Sequence, residues 1–298
     1  MTIKFLSGCI GVAGLCIAST GQAIVITGDT DATSLANALT AGSTGLTVIS
    51  STLSGQSEPT TGAVSSGTFT NAAGTYGIGS GIVISSGNVL DYNTGPNNST
   101  QTNTCYGTTC NSDNNGVPVT AGQQAILGAI TGQNEHYDAT QLDITFTTST
   151  GEVFFNVVFG SEEWPEFVGE FQDGFGLLLD GTNIAFVGGL PVNIDHPDMT
   201  GLAGTELDGI LCPTPVTGGP CSPVLTFSGL GLDTQIQHEL TFIIADANDG
   251  QLDTTAYIAS LGGTPPPPPT PGVPEPASLA LMAIGLVGAE SMRRRKAK

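Results

Sequence analysis

The chain has 298 residues, with 6 Lys plus Arg against 26 Asp plus Glu and a formal net charge of −20. That balance argues against binding to nucleic acid or an anionic membrane, because both need a basic face. The basic residues are Lys4, Arg293, Arg294, Arg295, Lys296 and Lys298, so residues 24–272 carry 24 acids and no Lys or Arg. Phosphoryl transfer, arginine clamps and lysine Schiff bases lose their usual cation there.

Residues 1–23 combine Lys4, an apolar stretch from about Phe5 to Ala18 and the small-residue site Gly21-Gln22-Ala23, the pattern of a secretory signal peptide cleaved after Ala23. Leu6-Ser7-Gly8-Cys9 is lipoprotein-like in composition, but the apolar run follows the cysteine instead of preceding it, which argues against lipidation. Beyond the leader, the best helical segment is Ser34–Leu39, with Thr33 or Asp31 available as a cap. Alternating or apolar runs then predict strands at Leu46–Leu53, Gly81–Ser85, Leu142–Thr147, Val153–Phe159, Phe175–Leu179, Ile184–Val187, Leu240–Ala245 and Thr255–Leu261. Gly, Asn, Asp and Pro punctuate the intervals, and no repeat period points to a solenoid or propeller. The expected fold is all-β: one β-sandwich or jelly-roll-like domain over 24–262 with one short N-terminal helix.

Cys9 and Cys16 leave with the leader, so the exported body holds Cys105, Cys110, Cys212 and Cys221. Four cysteines allow three pairings; the two short loops favour local disulfides, Cys105–Cys110 and Cys212–Cys221. A zinc site built from all four thiolates is the alternative. An oxidising compartment and the absence of two-residue spacing weigh against it.

The tail begins with Thr264 to Gly272, TPPPPPTPG, within a Pro-rich linker over 263–272 that acts as a semi-rigid spacer. Residues 273–298 follow with Val273-Pro274-Glu275-Pro276, a short apolar run from Ala277 to Ala289 and the Arg cluster. The run is short of the roughly 20 residues that span a bilayer comfortably. A marginal C-terminal anchor with its basic end retained in the cytoplasm is one reading. The order of parts closely resembles the PEP-CTERM sorting signal, with Pro274, Glu275 and Pro276 in the eponymous positions. The resemblance implies processing by an exosortase, transient membrane association through the C-terminal helix, and passage across the inner membrane of a Gram-negative bacterium to the outer surface or medium.

Two acidic segments stand out. Val157 to Gly176, VVFGSEEWPEFVGEFQDGFG, carries Glu162, Glu163, Glu166, Glu170 and Asp173; Phe242 to Ile258, FIIADANDGQLDTTAYI, carries Asp246, Asp249 and Asp253. With Gly81 to Val89 and the early Thr33-Ser34-Leu35-Ala36, these segments resemble the choice-of-anchor L domain, a bacterial surface module named for the different anchoring signals that follow it. Trp164 stands where that pattern more usually has tyrosine. The family implies architecture and anchoring, and supplies no catalytic residues to carry over.

Clustered carboxylates with no cation nearby repel one another, which raises their pKa or recruits a hard, oxygen-liking ion such as Ca²⁺. Glu162, Glu163, Glu166, Asp173, Asp246, Asp249 and Asp253 are the candidate ligands, although the Asp246 loop lacks EF-hand spacing. The alternative is that these acids sit on solvated turns. A secreted carboxylate-dependent glycoside hydrolase using Glu163 with Asp173 is the enzymatic rival; adjacent Glu162 and Glu163 point to opposite strand faces unless a bulge intervenes. His136, His196 and His238 lack zincin or triad spacing and read as surface or turn residues. Trp164, Phe167 and Phe171 read as core, or as sugar-stacking groups if exposed. The combined expectation is a non-enzymatic cell-surface or matrix protein that contacts exopolysaccharide or neighbouring cells.

Overall fold

The structure, a computed structural model, describes residues 24–72, 74–94, 104, 106–107, 116–201, 207–214, 218 and 220–266. The chain divides into a body, Gln22–Pro271, and a second unit made of residues 1–21 and 272–298. The latter lies outside the described residues, as do Ala23's cleavage site, Cys105, Cys110, most of the Pro-rich linker and Pro274, Glu275 and Pro276.

The elements run β1 (Val25–Gly28), α1 (Ala32–Leu39), β2 (Leu46–Ser54), β3 (Ser57–Glu58), β4 (Ala63–Val64), β5 (Ser66–Thr70), β6 (Gly81–Ser85) and α2 (Ala121–Thr131). They continue with β7 (His136–Thr148), β8 (Glu152–Ser161), β9 (Gly174–Leu179), β10 (Thr182–Asn183), β11 (Phe186–Val187), β12 (Leu190–Asn193) and β13 (Met199–Thr200). The last four are β14 (Gly209–Leu211), β15 (Leu225–Leu230), β16 (His238–Ala247) and β17 (Thr254–Gly262).

Among the described residues, two large antiparallel sheets form, and β3 and β4 pair in a separate two-stranded ladder. One has the order β1-β5-β6-β17-β8-β14-β13, with β15 also on β8; the other has the order β11-β12-β9-β16-β7-β2, with β10 on β9. Alternation sets the packing: along β15, Leu225 and Phe227 point inward while Thr226 and Ser228 face out. Ile82, Phe155, Val157, Phe159 and Ile258 of the first sheet meet Leu142, Ile144, Phe175, Leu177, Phe242 and Ile244 of the second in one buried core. Phe155 is the junction, edge-on to Phe242 at 5.7 Å and stacked with Phe227 at 5.9 Å. The chain is therefore an all-β sandwich, as its strand punctuation indicates.

The early helix is α1, capped by Asp31, whose carboxylate accepts the Ser34 N–H. Its Leu35, Ala36 and Leu39 close the core. The expected Ile184–Val187 strand is instead split: β10 and β11 flank residues 184–185, with Ile184 N–H bonded back to the Leu177 carbonyl. A second helix, α2, departs from the expectation of one. It opens with a capping box between Thr120 and Gln123 and stops at Gly132 in the left-handed conformation. Leu127 of α2 covers Ala139, Leu178, Ile243 and Ala245 on the outer face of the second sheet.

Candidate functional site

One end of the sandwich gathers the ends of strands from both sheets. From the first sheet come Glu162 and Glu163 at the exit of β8, Asp253 just before β17 and Gly87 after β6. From the second come Asp138 on β7, Asp173 just before β9 and Asp246 near the end of β16. Register explains the meeting: Thr254 pairs with Ser161, and Ala245 pairs with Gly174, so each acid emerges beside its partner strand's acid. A bulge between Ile244 and Asp246 re-aims Asp246 where β16 crosses Tyr137.

All six carboxylates are buried. Asp173 is fully used: its Oδ1 accepts the Ala247 N–H at 2.8 Å and its Oδ2 the Thr254 hydroxyl at 2.5 Å, tying the sheets together. Asp138 Oδ1 accepts the Val117 N–H at 2.7 Å, and Asp253 Oδ1 accepts the Thr104 N–H at 3.0 Å. Among the described residues, their other oxygens, Asp138 Oδ2 and Asp253 Oδ2, together with Glu163 Oε2 and both oxygens of Asp246, have no hydrogen-bond partner. The Ser86 hydroxyl lies close enough to lower the Asp246 pKa, but it makes no bond of ordinary geometry to either oxygen.

Glycines form the wall. A Cβ at Gly87 would fall 1.7 Å from Asp253 Oδ2, and one at Gly116 would fall 1.7 Å from Asp138 Oδ2. Only residues without side chains let the backbone lie against the carboxyls this closely. Tyr106 is buried alongside, its hydroxyl donating to the Gly87 carbonyl at 3.0 Å.

Electrostatics follow from burial without a counter-charge. Burial, opposed in part by the Val117 N–H, pushes Asp138 up to about 7. Burial also raises Asp253 to about 6, and burial with the charge of Asp173 raises Glu163 to about 10. Asp173 and Asp246 are held well above the usual carboxylate range, first by burial and then by neighbouring acids. The Tyr106 phenol is pushed up by burial and by Asp253, Asp138, Asp91 and Asp246. Asp246 interacts with Asp173, Asp253 and Asp138, and Asp138 with Asp253, so Asp138, Asp246 and Asp253 form a mutually repelling trio.

Of the acids expected from sequence, Glu162, Glu163, Asp173, Asp246 and Asp253 come together. Asp249 is half-buried at the rim, where its carboxylate accepts the Gln251 N–H, and Glu166 is exposed on the loop after β8. Asp138 was not among those candidates. Its signal was one acid in the polar Glu135-His136-Tyr137-Asp138 stretch, with nothing in sequence tying it to the acids of β16 and β17. Among the described residues, no group of three or more His, Cys, Asp or Glu side chains is arranged, as it stands, to hold a metal ion.

The histidines correct the surface reading. His136, His196 and His238 are all buried. His136 bonds Thr131 and Gln124, and burial lowers it to about 4, so it is neutral. Cys212 and Cys221 form a disulfide, which removes two thiolates from any four-cysteine zinc site. Phe167 and Phe171 pack edge-to-face on each other at 5.6 Å, and Trp164 packs against the core.

The family model of the choice-of-anchor L domain matches residues 25–201, more than half of the chain, and the chain belongs to that family. The PEP-CTERM protein-sorting motif matches residues 272–296. The protein is therefore exported across the membrane to the cell surface and processed by an exosortase. The domain match ends before β14, yet β16 and β17 lie inside the two sheets, so residues after 201 complete the fold. No curated protein and no solved structure matches the chain.

Proposed function

We propose that this is a non-enzymatic surface or extracellular-matrix protein of a Gram-negative bacterium, whose C-terminal helix holds it transiently in the membrane until an exosortase acts. Its body then engages exopolysaccharide or neighbouring cells. The observation that carries the non-enzymatic reading is the enclosure of the acids: Glu163 is 1% exposed and Asp173 0%. A glycoside hydrolase needs its acid and its base or nucleophile on either side of a bound sugar, and no sugar reaches a pair walled in to this degree.

A contact surface of suitable chemistry exists elsewhere. Ser50, Thr52, Gln141, Asp143, Thr145 and Thr241 line an open cavity of about 340 Å³ on the outer face of the second sheet. Its hydroxyls, amide and carboxylate offer donors and acceptors to a polyhydroxylated chain, and Asp143 is already oriented by the Thr241 hydroxyl at 2.6 Å. The test is a glycan array and a turnover screen on exopolysaccharide from the producing strain. Retention without cleavage, weakened by Asp143→Ala, is expected. Cleavage that is lost in Glu163→Gln would replace this reading with the hydrolase.

A further inference from the structure

We propose that Asp138, Asp246 and Asp253 bind one Ca²⁺ ion at the end of the sandwich, and that the ion locks the two sheets together there. The inference does not depend on glycan binding. Clustered acids alone would not carry it. The independent observation is Asp246, which is 0% exposed, has no hydrogen-bond partner of ordinary geometry for either carboxylate oxygen among the described residues, and lies close enough to Asp138 and Asp253 to feel their charge. Asp138 Oδ2 and Asp253 Oδ2 are orphaned in the same way, each pressed against a glycine of the wall.

A buried oxygen without a donor is costly, and three such carboxylates near enough to repel one another are costlier still. Proteins ordinarily answer with Arg or Lys, but residues 24–272 contain neither. The described residues near the trio offer donors to one oxygen each of Asp138 and Asp253, leaving the others for a cation.

Chemistry selects the ion. An all-oxygen donor set of hard carboxylates suits Ca²⁺ or Mg²⁺ over zinc or copper. Mg²⁺ keeps several waters, whereas Ca²⁺ accepts an irregular, protein-supplied shell, and ligands this deeply buried leave little room for water. To coordinate the ion, the three carboxylates would rotate inward from the positions they hold in the structure. Asp173, with both oxygens bonded, contributes charge and holds Ala247 and Thr254 in position. The ligands come from β7, β16 and the entry to β17, so the ion joins one sheet to the other.

The full chain, stripped with chelator at pH 7.5, is titrated with Ca²⁺ alone by calorimetry. One ion per chain is expected, with at least a tenfold loss of affinity in Asp246→Asn and in Asp138→Asn, and no loss in Glu166→Gln. Melting should shift upward with Ca²⁺ more than with Na⁺ of equal ionic strength or with Mg²⁺. Where a variant fails to fold, Tb³⁺ luminescence of the unaltered chain keeps the test decisive: emission sensitised by Tyr106 should appear, fall on adding Ca²⁺, and be lost in Tyr106→Phe. Absence of stoichiometric Ca²⁺ binding by the folded chain, with equal melting in Ca²⁺ and chelator, would show that protons alone neutralise the cluster and would overturn the proposal.

Discussion

Replacing Gly87 by Ala tests the architecture of the acidic end directly. The new Cβ would lie 1.7 Å from Asp253 Oδ2, 1.9 Å from its Cγ and 2.5 Å from its Oδ1, so no small adjustment relieves the clash. Asp253 cannot retreat along its backbone, because its carbonyl accepts the Glu162 N–H at 3.1 Å and the next residue begins β17. The carboxyl must swing away, giving up the Thr104 N–H at 3.0 Å. Overpacking costs about 1–3 kcal/mol and loss of a hydrogen bond to a charged group about 1.5–3 kcal/mol, so the variant should lose about 2.5–6 kcal/mol. Against a whole-domain stability of about 5–15 kcal/mol, that is a large share. For a body of this size it lowers Tm by roughly 5–24 °C. Urea denaturation and calorimetry measure it. Because the penalty arises from the carboxyl that the Cβ strikes, Gly87→Ala combined with Asp253→Ala should cost clearly less than the two singles added together. Gly122 in α2, whose added Cβ would meet nothing nearer than 4.0 Å, is the control, and Gly122→Ala should stabilise by about 0.5–1 kcal/mol. A Gly87→Ala protein that melts with the wild type, or strict additivity in the cycle, would refute the close approach of Gly87 to Asp253.

Phe242→Ala should cost about 3–5 kcal/mol by urea denaturation, since it removes the edge-on partner of Phe155 from the middle of the core. Removing the Cys212–Cys221 bridge by paired substitution to Ser should cost about 3 kcal/mol, the loop entropy of a short closed segment; an unchanged denaturation midpoint would contradict it. His238 responds to pH with a defined sign. Burial lowers its pKa, but the Asp180 carboxylate at 2.7 Å and the Asp233 carbonyl at 2.9 Å outweigh it, so the folded value stands above 6.5. Its stabilising contribution is then fully present below 6.5 and lost as pH rises through the folded value, so the gap between wild type and Asp180→Asn should be wider at low pH. A His238 ring that titrates below 6.5 by NMR would show the sign to be wrong.

Strands were legible in the sequence where burial leaves a pattern, alternation where one face is buried and a continuous apolar run where both are. Leu142–Thr147, Val153–Phe159 and Leu240–Ala245 were legible as strands because alternation and apolar runs mark burial directly, and they extend in the structure as β7, β8 and β16. The short strands β13, at the sheet edge, and β14 beside it have too few residues to display a period. The second helix was hidden by Gly122 and Gly128, which weaken a helical reading, although Thr120 and Gln123 spelled its capping box. For the acids, clustering along the chain identified Glu163, Asp173, Asp246 and Asp253, because each sits where a strand enters or leaves the same end. Asp138 escaped since its proximity to Asp246 depends on the register of β7 against β16, including a bulge, and a local pattern does not encode a register between distant strands. Glu166 failed in the opposite direction: it is near Glu163 in sequence, but the loop turns it to solvent.

Export and the acidic end bear on each other through charge. Three buried aspartates that repel one another need positive charge, and a body without Lys or Arg has none of its own to supply. Protons can serve only while pH stays near or below the raised pKa values, about 6 for Asp253 and about 7 for Asp138. Above that range the repulsion returns unless an external cation neutralises it. Extracellular calcium modules function with Kd values of about 10⁻⁴–10⁻³ M, weak enough to stay empty where free Ca²⁺ is scarce and strong enough to fill outside the cell. A chain routed to the surface by its C-terminal signal would thus meet its missing counter-charge only after export, and the joint between β7, β16 and β17 would tighten there instead of in the cytoplasm.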